Sequence, residues 1–280
     1  MTPRLIASDI DGTFLNSKDR VTPRLRDAVM NAINSGAKFA LATGRPHRWI
    51  FPVLDQLPIR PMCVCSNGAV IYDSADDKII TAHNLPPETL ADIAETAQEV
   101  FEPFGGVAFG VERAGQSAFD AEEESFLTSP GYRTDLWTED HGVVPVHELV
   151  SQPAVKLILR NSNMVAQEMF DAIAPKIDPD DAHVTFSMSA GLLEVSAPGV
   201  TKATGVSTLA AMYGIEQKDV AAFGDMPNDI EMLAWAGTGV AMGNAAPQVR
   251  DGADTVTATN DEYGVAVMVE GWFNSVNMQE

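Results

Sequence analysis

Short apolar runs alternate along the chain with longer segments in which apolar residues recur every three or four positions. The runs Leu5–Ser8, Lys38–Ala42 and Met62–Cys65 predict buried strands. The helical spacing predicts helices over residues 22–35 and 48–57, and Gly36 is a typical residue to follow the first of them. Strands that alternate with helices predict a mostly parallel sheet with helices on both faces.

The end of the chain repeats this alternation. It predicts a helix over 201–213, a strand over 220–223 and a helix over 229–236.

Between these halves the pattern changes, and we expect residues 83–187 to form an inserted α+β unit. Segments 1–82 and 188–280 then combine into one sheet domain.

The net charge of the chain limits the classes of molecule that it is expected to bind. Lys and Arg number 18 against 39 Asp and Glu, a formal charge of −21. Such a surface repels nucleic-acid phosphates and anionic lipids, so we expect neither nucleic acid nor membrane as a partner. The first residues do not resemble a signal peptide and no apolar run is long enough to cross a bilayer, so the expected compartment is the cytoplasm.

The strongest local signal is Asp9-Ile10-Asp11-Gly12-Thr13, directly after the first predicted strand. In extended backbone Asp9 and Asp11 project to the same side, and Gly12 allows the chain to turn. In an open α/β sheet, ligands bind beyond the carboxyl ends of the strands. Two carboxylates there favour a cation between them, and oxygen donors suit Mg²⁺. A solvated turn is the alternative interpretation.

Three further segments follow the same logic. Thr43-Gly44-Arg45 ends a strand, where a hydroxyl and free N–H groups can hold phosphate, although taken alone this segment favours a plain turn. Lys202 is a surface charge or the fixed cation that a phosphate site in an acidic protein needs. Asp225 follows a strand and is a candidate metal ligand. Asn228 and Asp229 lie close behind it, or cap the next helix.

Together these segments resemble the four motifs of the haloacid dehalogenase superfamily. The remaining matches resemble its Cof-type branch: Ser66-Asn67-Gly68-Ala69 and Asn260-Asp261-Glu262-Tyr263-Gly264-Val265-Ala266. Lys202-Ala203 departs from the Lys-Gly that is common in that branch. The resemblance implies an α/β fold with a Rossmann-like, doubly wound, mostly parallel core sheet. It also implies that the inserted α+β unit is a cap domain that sets substrate specificity.

By this resemblance the chain is a Mg²⁺-dependent phosphatase of small phosphorylated metabolites, with sugar phosphates first among them. Asp9 is then the nucleophile that forms a phospho-aspartate, and Asp11 is the general acid and base. The metal is held by the Asp9 side chain, the Asp11 carbonyl and Asp225, with Asp229 behind them.

The transferring phosphoryl group is then bound by Thr43, the Gly44 N–H and Lys202. Arg45, Asn67 and Asn228 are candidate substrate contacts. For Arg45 a surface position is the alternative, and for Asn67 a turn cap.

Other functions stay open at this point. A phosphomutase on the same fold passes phosphate between sugar positions, and a sugar-phosphate sensor binds without turnover. A phospho-accepting signalling domain also uses clustered Asp, Thr and Lys, but it needs neither Asp11 nor the insert. A dehalogenase needs no second aspartate, so Asp11 argues against it.

Overall fold

Buried apolar strands form two separate sheets in this computed structural model, which describes residues 2–133 and 141–273. The chain divides into two compact units. The first combines Met1–Lys78 with Thr201–Glu280, and the second is the continuous segment Ile79–Val200.

The strands are β1 (Leu5–Ser8), β2 (Lys38–Ala42), β3 (Met62–Cys65), β4 (Val70–Asp73), β5 (Lys78–Ala82), β6 (Ala108–Glu112), β7 (Phe126–Thr128), β8 (Gly142–Val143), β9 (Lys156–Val165), β10 (His183–Thr185), β11 (Ala190–Ser196), β12 (Val220–Gly224), β13 (Thr238–Ala241) and β14 (Thr255–Val256). The α-helices are α1 (Pro23–Asn34), α2 (Phe51–Leu54), α3 (Pro87–Phe101), α4 (Glu122–Ser125), α5 (Val146–Leu149), α6 (Ala166–Ile173), α7 (Lys202–Met212), α8 (Ile230–Trp235), α9 (Pro247–Asp251) and α10 (Gly264–Phe273).

The larger sheet has eight strands in the order β14-β13-β12-β1-β2-β3-β4-β5. Its strands from β14 to β3 are parallel, and β4 is antiparallel to β3. β1 is buried along its whole length because strands of a covered parallel sheet have both faces in the core. The chain leaves β1 toward β2 on one side, and β12 lies on the other. The carboxyl end of β1 is therefore a switch point, where such sheets bind ligands.

Helix α1 illustrates how local sequence fixes the elements beside this sheet. The Thr22 hydroxyl accepts a hydrogen bond from the Leu25 N–H, and Pro23 occupies the first turn. One face of the helix is buried. Gly36 follows with a φ of 96°, which favours glycine, and the chain then enters β2.

The second unit contains the six-stranded sheet β10-β11-β9-β6-β7-β8. Its four strands from β10 to β6 pair antiparallel, as does β6 with β7. In α3, one face is buried by apolar side chains at helical spacing, among them Leu90, Ile93 and Ala97.

The predicted fold class, a doubly wound α/β core with an inserted α+β unit, is confirmed. The second unit runs from 79 to 200 rather than from 83 to 187, because β11 pairs with β9 and β10. The single helix predicted over 48–57 is wrong: a 3₁₀ turn at His47–Trp49 precedes the short α2. Within the described residues, the helices are too short or too polar to cross a membrane.

Candidate active site

The carboxyl ends of three neighbouring strands bring the predicted segments to one edge of the larger sheet. Asp9 follows β1, Thr43 follows β2 and Asp225 follows β12. The Asp9 N–H donates to the Phe223 carbonyl (3.0 Å), so Asp9 is fixed against the end of β12. Lys202 lies at the first position of α7.

Lys202 joins two of the acidic side chains. Its Nζ donates to Asp9 Oδ1 and to Asp229 Oδ1, both at 2.6 Å. The lysine side chain is 1% exposed and that of Asp229 is fully buried, so both ion pairs are shielded from solvent. The second oxygen of Asp229, Oδ2, accepts from the backbone N–H groups of Asp225 and Met226, each at 3.0 Å. Asp229 thereby fixes the turn after β12.

Asp225 is held on its other side by the loop that follows β1. Thr13 Oγ1 donates to Asp225 Oδ1 at 2.9 Å. Gly12 passes so close that a Cβ there would lie 2.3 Å from Asp225 Oδ2, and its φ is 78°. Gly224 is similarly restricted, since its Cβ would lie 2.4 Å from that of Asp229. These two glycines are therefore required by the close approach of the acidic turn.

The buried carboxylates carry more charge than Lys202 can balance. Burial raises the pKa of Asp9 well above its ordinary value, although the Lys202 ammonium opposes this. Burial and the Asp229 carboxylate raise the pKa of Asp225 to about 6, against the lowering effect of the Thr13 hydrogen bond. Burial lowers the pKa of Lys202, but Asp229 and Asp9 raise it more, and its pKa is above the ordinary value.

This cluster fits a divalent cation. One carboxylate oxygen from each of Asp9, Asp225 and Asp229 lies within 4.8 Å of the others, and all are hard oxygen donors. Three carboxylates against one ammonium leave an excess of two negative charges, which a divalent ion cancels. Asn228 Oδ1, in the turn that also carries Asp225 and Asp229, is buried and accepts no hydrogen bond from the described residues, which leaves one oxygen acceptor of this turn available.

Asp11 is not part of the acidic cluster. Its carboxylate accepts from Arg45 Nε at 2.8 Å and from Arg45 Nη2 at 2.5 Å, and its side chain is 53% exposed. Asp11 lies in the turn Ile10–Phe14, whose φ and ψ values at Asp11 are not helical. The two aspartates therefore do not share a cation through their side chains. The Asp11–Arg45 pair is a contact that the sequence analysis missed.

The remaining candidates occupy the ends of β2 and β3. Thr43 is buried, and its hydroxyl accepts from the Arg45 N–H at 3.0 Å, so the Thr43-Gly44-Arg45 turn is closed on itself. Asn67 has a φ of 55°, and its Oδ1 accepts from Asn228 Nδ2 at 3.0 Å. Asn67 and Asn228 are thus brought together, in a buried pair behind Asp225.

Two asparagines near the end of the chain hold the loop after Asp9. Asn244 Nδ2 donates to the Gly12 carbonyl at 2.8 Å, and Asn260 Nδ2 donates to the Leu15 carbonyl at 2.9 Å. The Asn260 N–H in turn donates to Asn244 Oδ1. The sequence pattern predicts no role for Asn244. Asn260 belongs to the segment 260–266, whose resemblance to the Cof-type branch is the one sequence feature that points to this part of the site.

Comparisons with known proteins agree with this arrangement. A family model described as haloacid dehalogenase-like hydrolase matches residues 6–269. Phosphatase YwpJ of Bacillus subtilis is 30% identical over an alignment of 291 positions, which covers 95% of this chain and 99% of that protein.

Two further similarities name substrates for other proteins. Pyridoxal phosphate phosphatase YbhA of Escherichia coli is 26% identical to this chain, and the alignment covers 96% of this chain and 98% of YbhA. The solved structure of the subclass IIB sugar phosphatase BT4131 has a TM-score of 0.77 at 22% identity, covering 96% of this chain and 98% of its own. At that identity the likeness shows the fold alone.

Proposed function

Because the chain belongs to the haloacid dehalogenase-like hydrolases and is a phosphatase of their Cof-type branch, we propose that it hydrolyses phosphomonoesters through a phospho-aspartate on Asp9, with Mg²⁺ as cofactor. The observation that supports this most strongly is Lys202, which contacts Asp9 and Asp229 beside Asp225 at one sheet edge.

In this mechanism Asp9 attacks phosphorus, the bond to the leaving oxygen breaks, and the phosphoryl group is transferred to the carboxylate. A carboxylate is a weak nucleophile, so position and charge neutralisation contribute most. Lys202 holds Asp9 in one orientation and places a fixed positive charge beside the transferring group. Thr43 and the Gly44 N–H, at the end of the adjacent strand, bind phosphoryl oxygens.

Asp9, the Asp11 carbonyl and Asp225, with Asp229 behind them, would hold a divalent cation, which would neutralise part of the negative charge of the phosphoryl group. Asp229 orients Asp225 by accepting from the backbone N–H groups of the turn after β12, and Asn228 in the same turn pairs with Asn67.

Asp11 gives a proton to the leaving oxygen and later takes one from the attacking water. Arg45 donates to both oxygens of that carboxylate, so the Asp11 side chain is held in one orientation. We therefore infer that Arg45 positions Asp11.

The second unit serves as the cap that selects the substrate, as the resemblance implies. Sugar phosphates are the class to test first, and pyridoxal phosphate belongs in the same panel because YbhA is named for it. Cys63 and Cys65 are free buried thiols, which supports the cytoplasm as the compartment of action.

Removal of divalent metal is expected to abolish release of free phosphate from this panel, and Mg²⁺ is expected to restore it. Mg²⁺ at a hundred times its Kd adds about 2.7 kcal/mol to the free energy of unfolding and raises Tm. Asp225→Asn is the matched control, since it removes one carboxylate and should lose most of the rise in Tm. Full activity in metal-free protein in EDTA contradicts the proposal.

Asp11→Asn is expected to lower steady-state turnover of p-nitrophenyl phosphate by about 10²- to 10⁴-fold, because water is no longer deprotonated. Nitrophenolate leaves without a proton, so the first step survives. A burst of one nitrophenolate per protein, with phosphate retained on Asp9, is the result to measure by rapid mixing. Steady turnover at the wild-type rate, without a burst, refutes the role of Asp11.

A further inference from the structure

The second unit contains a polar cavity of about 390 Å³, a size typical of small-molecule sites. It lies where β6 begins, where the chain leaves β7, and along the later half of β9. The residues that line it include Arg133, Arg160, Asn161, Ser162 and Asn163. All of these residues belong to the second unit.

The walls of this cavity are fixed by hydrogen bonds. Asn161 Nδ2 donates to the carbonyls of Phe104 (3.2 Å) and Gly106 (2.8 Å), and Asn161 Oδ1 accepts from the Asn163 N–H at 2.7 Å. These bonds hold the turn at Gly105 and Gly106, whose φ values are 93° and 86°. The backbone wall is therefore formed before any ligand binds.

Arg160 is held in place as well. Its Nη1 donates to the Gly191 carbonyl at 3.0 Å, and the residue is 6% exposed. A Cβ at Gly191 would lie 2.0 Å from the Asn161 carbonyl oxygen, so β11 approaches β9 closely at this point. The Arg160 guanidinium is thus fixed to β11, and Arg160 is one of the residues that line the cavity.

The charge distribution makes this cavity unusual within its unit. Residues 79–200 contain twenty Asp and Glu but only five Lys and Arg, and two of those five line this cavity. Among the described lining residues there is no Asp or Glu. Of the other three cations, Lys156 pairs with buried Glu194, and Lys176 lines a different groove beside Asp178 and Asp181. The third, Arg113, follows the end of β6, whereas this cavity adjoins the start of that strand.

We propose that this cavity binds the oxyanion group, a phosphate or carboxylate, of a small hydroxyl-bearing metabolite. Guanidinium groups match such anions through paired N–H donors, and the amide and hydroxyl groups around them suit a polyol. The oxyanion belongs either to the substrate, remote from its scissile phosphate, or to a separate effector. The substrate alternative rests on the proposed phosphatase function, and binding itself does not.

Calorimetric titration of full-length protein in EDTA tests this without turnover. Two pairs of ligands are compared, and in each pair the first ligand carries one more oxyanion group than the second. The pairs are fructose 1,6-bisphosphate with fructose 6-phosphate, and 6-phosphogluconate with glucose 6-phosphate. We expect at least one pair to show a tenfold or greater preference for the second oxyanion, and Arg133→Gln and Arg160→Gln each to remove most of it. Lys176→Gln, which changes an exposed cation of the same unit, should leave it intact.

Gluconate distinguishes the two sources of the oxyanion. If gluconate binds, Arg133→Gln abolishes that binding, and neither ligand pair shows a preference, the cavity is a separate effector site. If a ligand pair shows a preference for the additional oxyanion, the oxyanion belongs to the substrate. Equal affinities within both pairs, together with no Arg133-dependent gluconate binding, overturn the proposal, as does an equal loss in Lys176→Gln. Phosphate release from p-nitrophenyl phosphate, measured separately, reports on the phosphatase function itself.

Discussion

Asp9→Asn is expected to lower phosphate release from p-nitrophenyl phosphate by about 10⁴-fold or more, since an amide cannot form the phospho-enzyme. The substitution keeps the shape of the side chain. It removes one of three crowded carboxylates, and the pKa of Asp9 is already raised by burial. The free energy of unfolding should therefore change little, because Lys202 keeps its ion pair with Asp229.

Three measurements check this result. Steady-state kinetics gives the loss of activity, circular dichroism gives the fold, and thermal unfolding in EDTA should give a Tm no lower than that of the wild type. A phosphoryl group trapped on the wild-type protein by acid quench should be absent from Asp9→Asn. Activity of Asp9→Asn at the wild-type level refutes the covalent route.

Lys202→Met is expected to remove activity and to lower the free energy of unfolding by about 3–5 kcal/mol, the usual cost of deleting one partner of a buried ion pair. Methionine fills a similar volume but leaves Asp9 and Asp229 buried without their cation. The loss should be largest in EDTA and smaller in Mg²⁺, because a divalent ion replaces part of the missing positive charge.

Lys218→Met is the matched control. Lys218 also pairs with a carboxylate, that of Glu216, but both side chains are exposed, so this pair should change stability little. Urea unfolding of both variants, with and without Mg²⁺, gives the comparison. Equal stability of Lys202→Met and the wild type in EDTA contradicts the buried ion-pair arrangement.

The strands that position the site are predictable from sequence, because buried parallel strands read as continuous apolar runs. Leu5–Ser8, Lys38–Ala42 and Met62–Cys65 are observed with the predicted bounds. Once strand order is inferred, the meeting of Asp9 and Asp225 follows from their positions at adjacent strand ends.

Other features depend on contacts that no local pattern encodes. The Asp11–Arg45 pair requires the exact path of the turn at Gly12, and its two residues are far apart in the chain. The helix predicted over 48–57 is interrupted because Pro52 has no N–H to donate and favours the first turn of a new helix, α2. β11 includes the charged residue Glu194, and its pairing with β9 and β10 identifies it as a strand of the second unit.

The division of the first unit into two distant segments determines when the site can form on the ribosome. Leu5 pairs with Val220 across β1 and β12, whereas the second unit is one continuous stretch. Synthesis proceeds from the N-terminus, so the nascent second unit can fold while β1 still lacks a neighbour on one side. The loop after Asp9 gains its hydrogen bonds from Asn244 and Asn260 later still, because these residues are synthesised after β12. Asp9 and the loop that follows it therefore gain these neighbours only after the second unit has been synthesised.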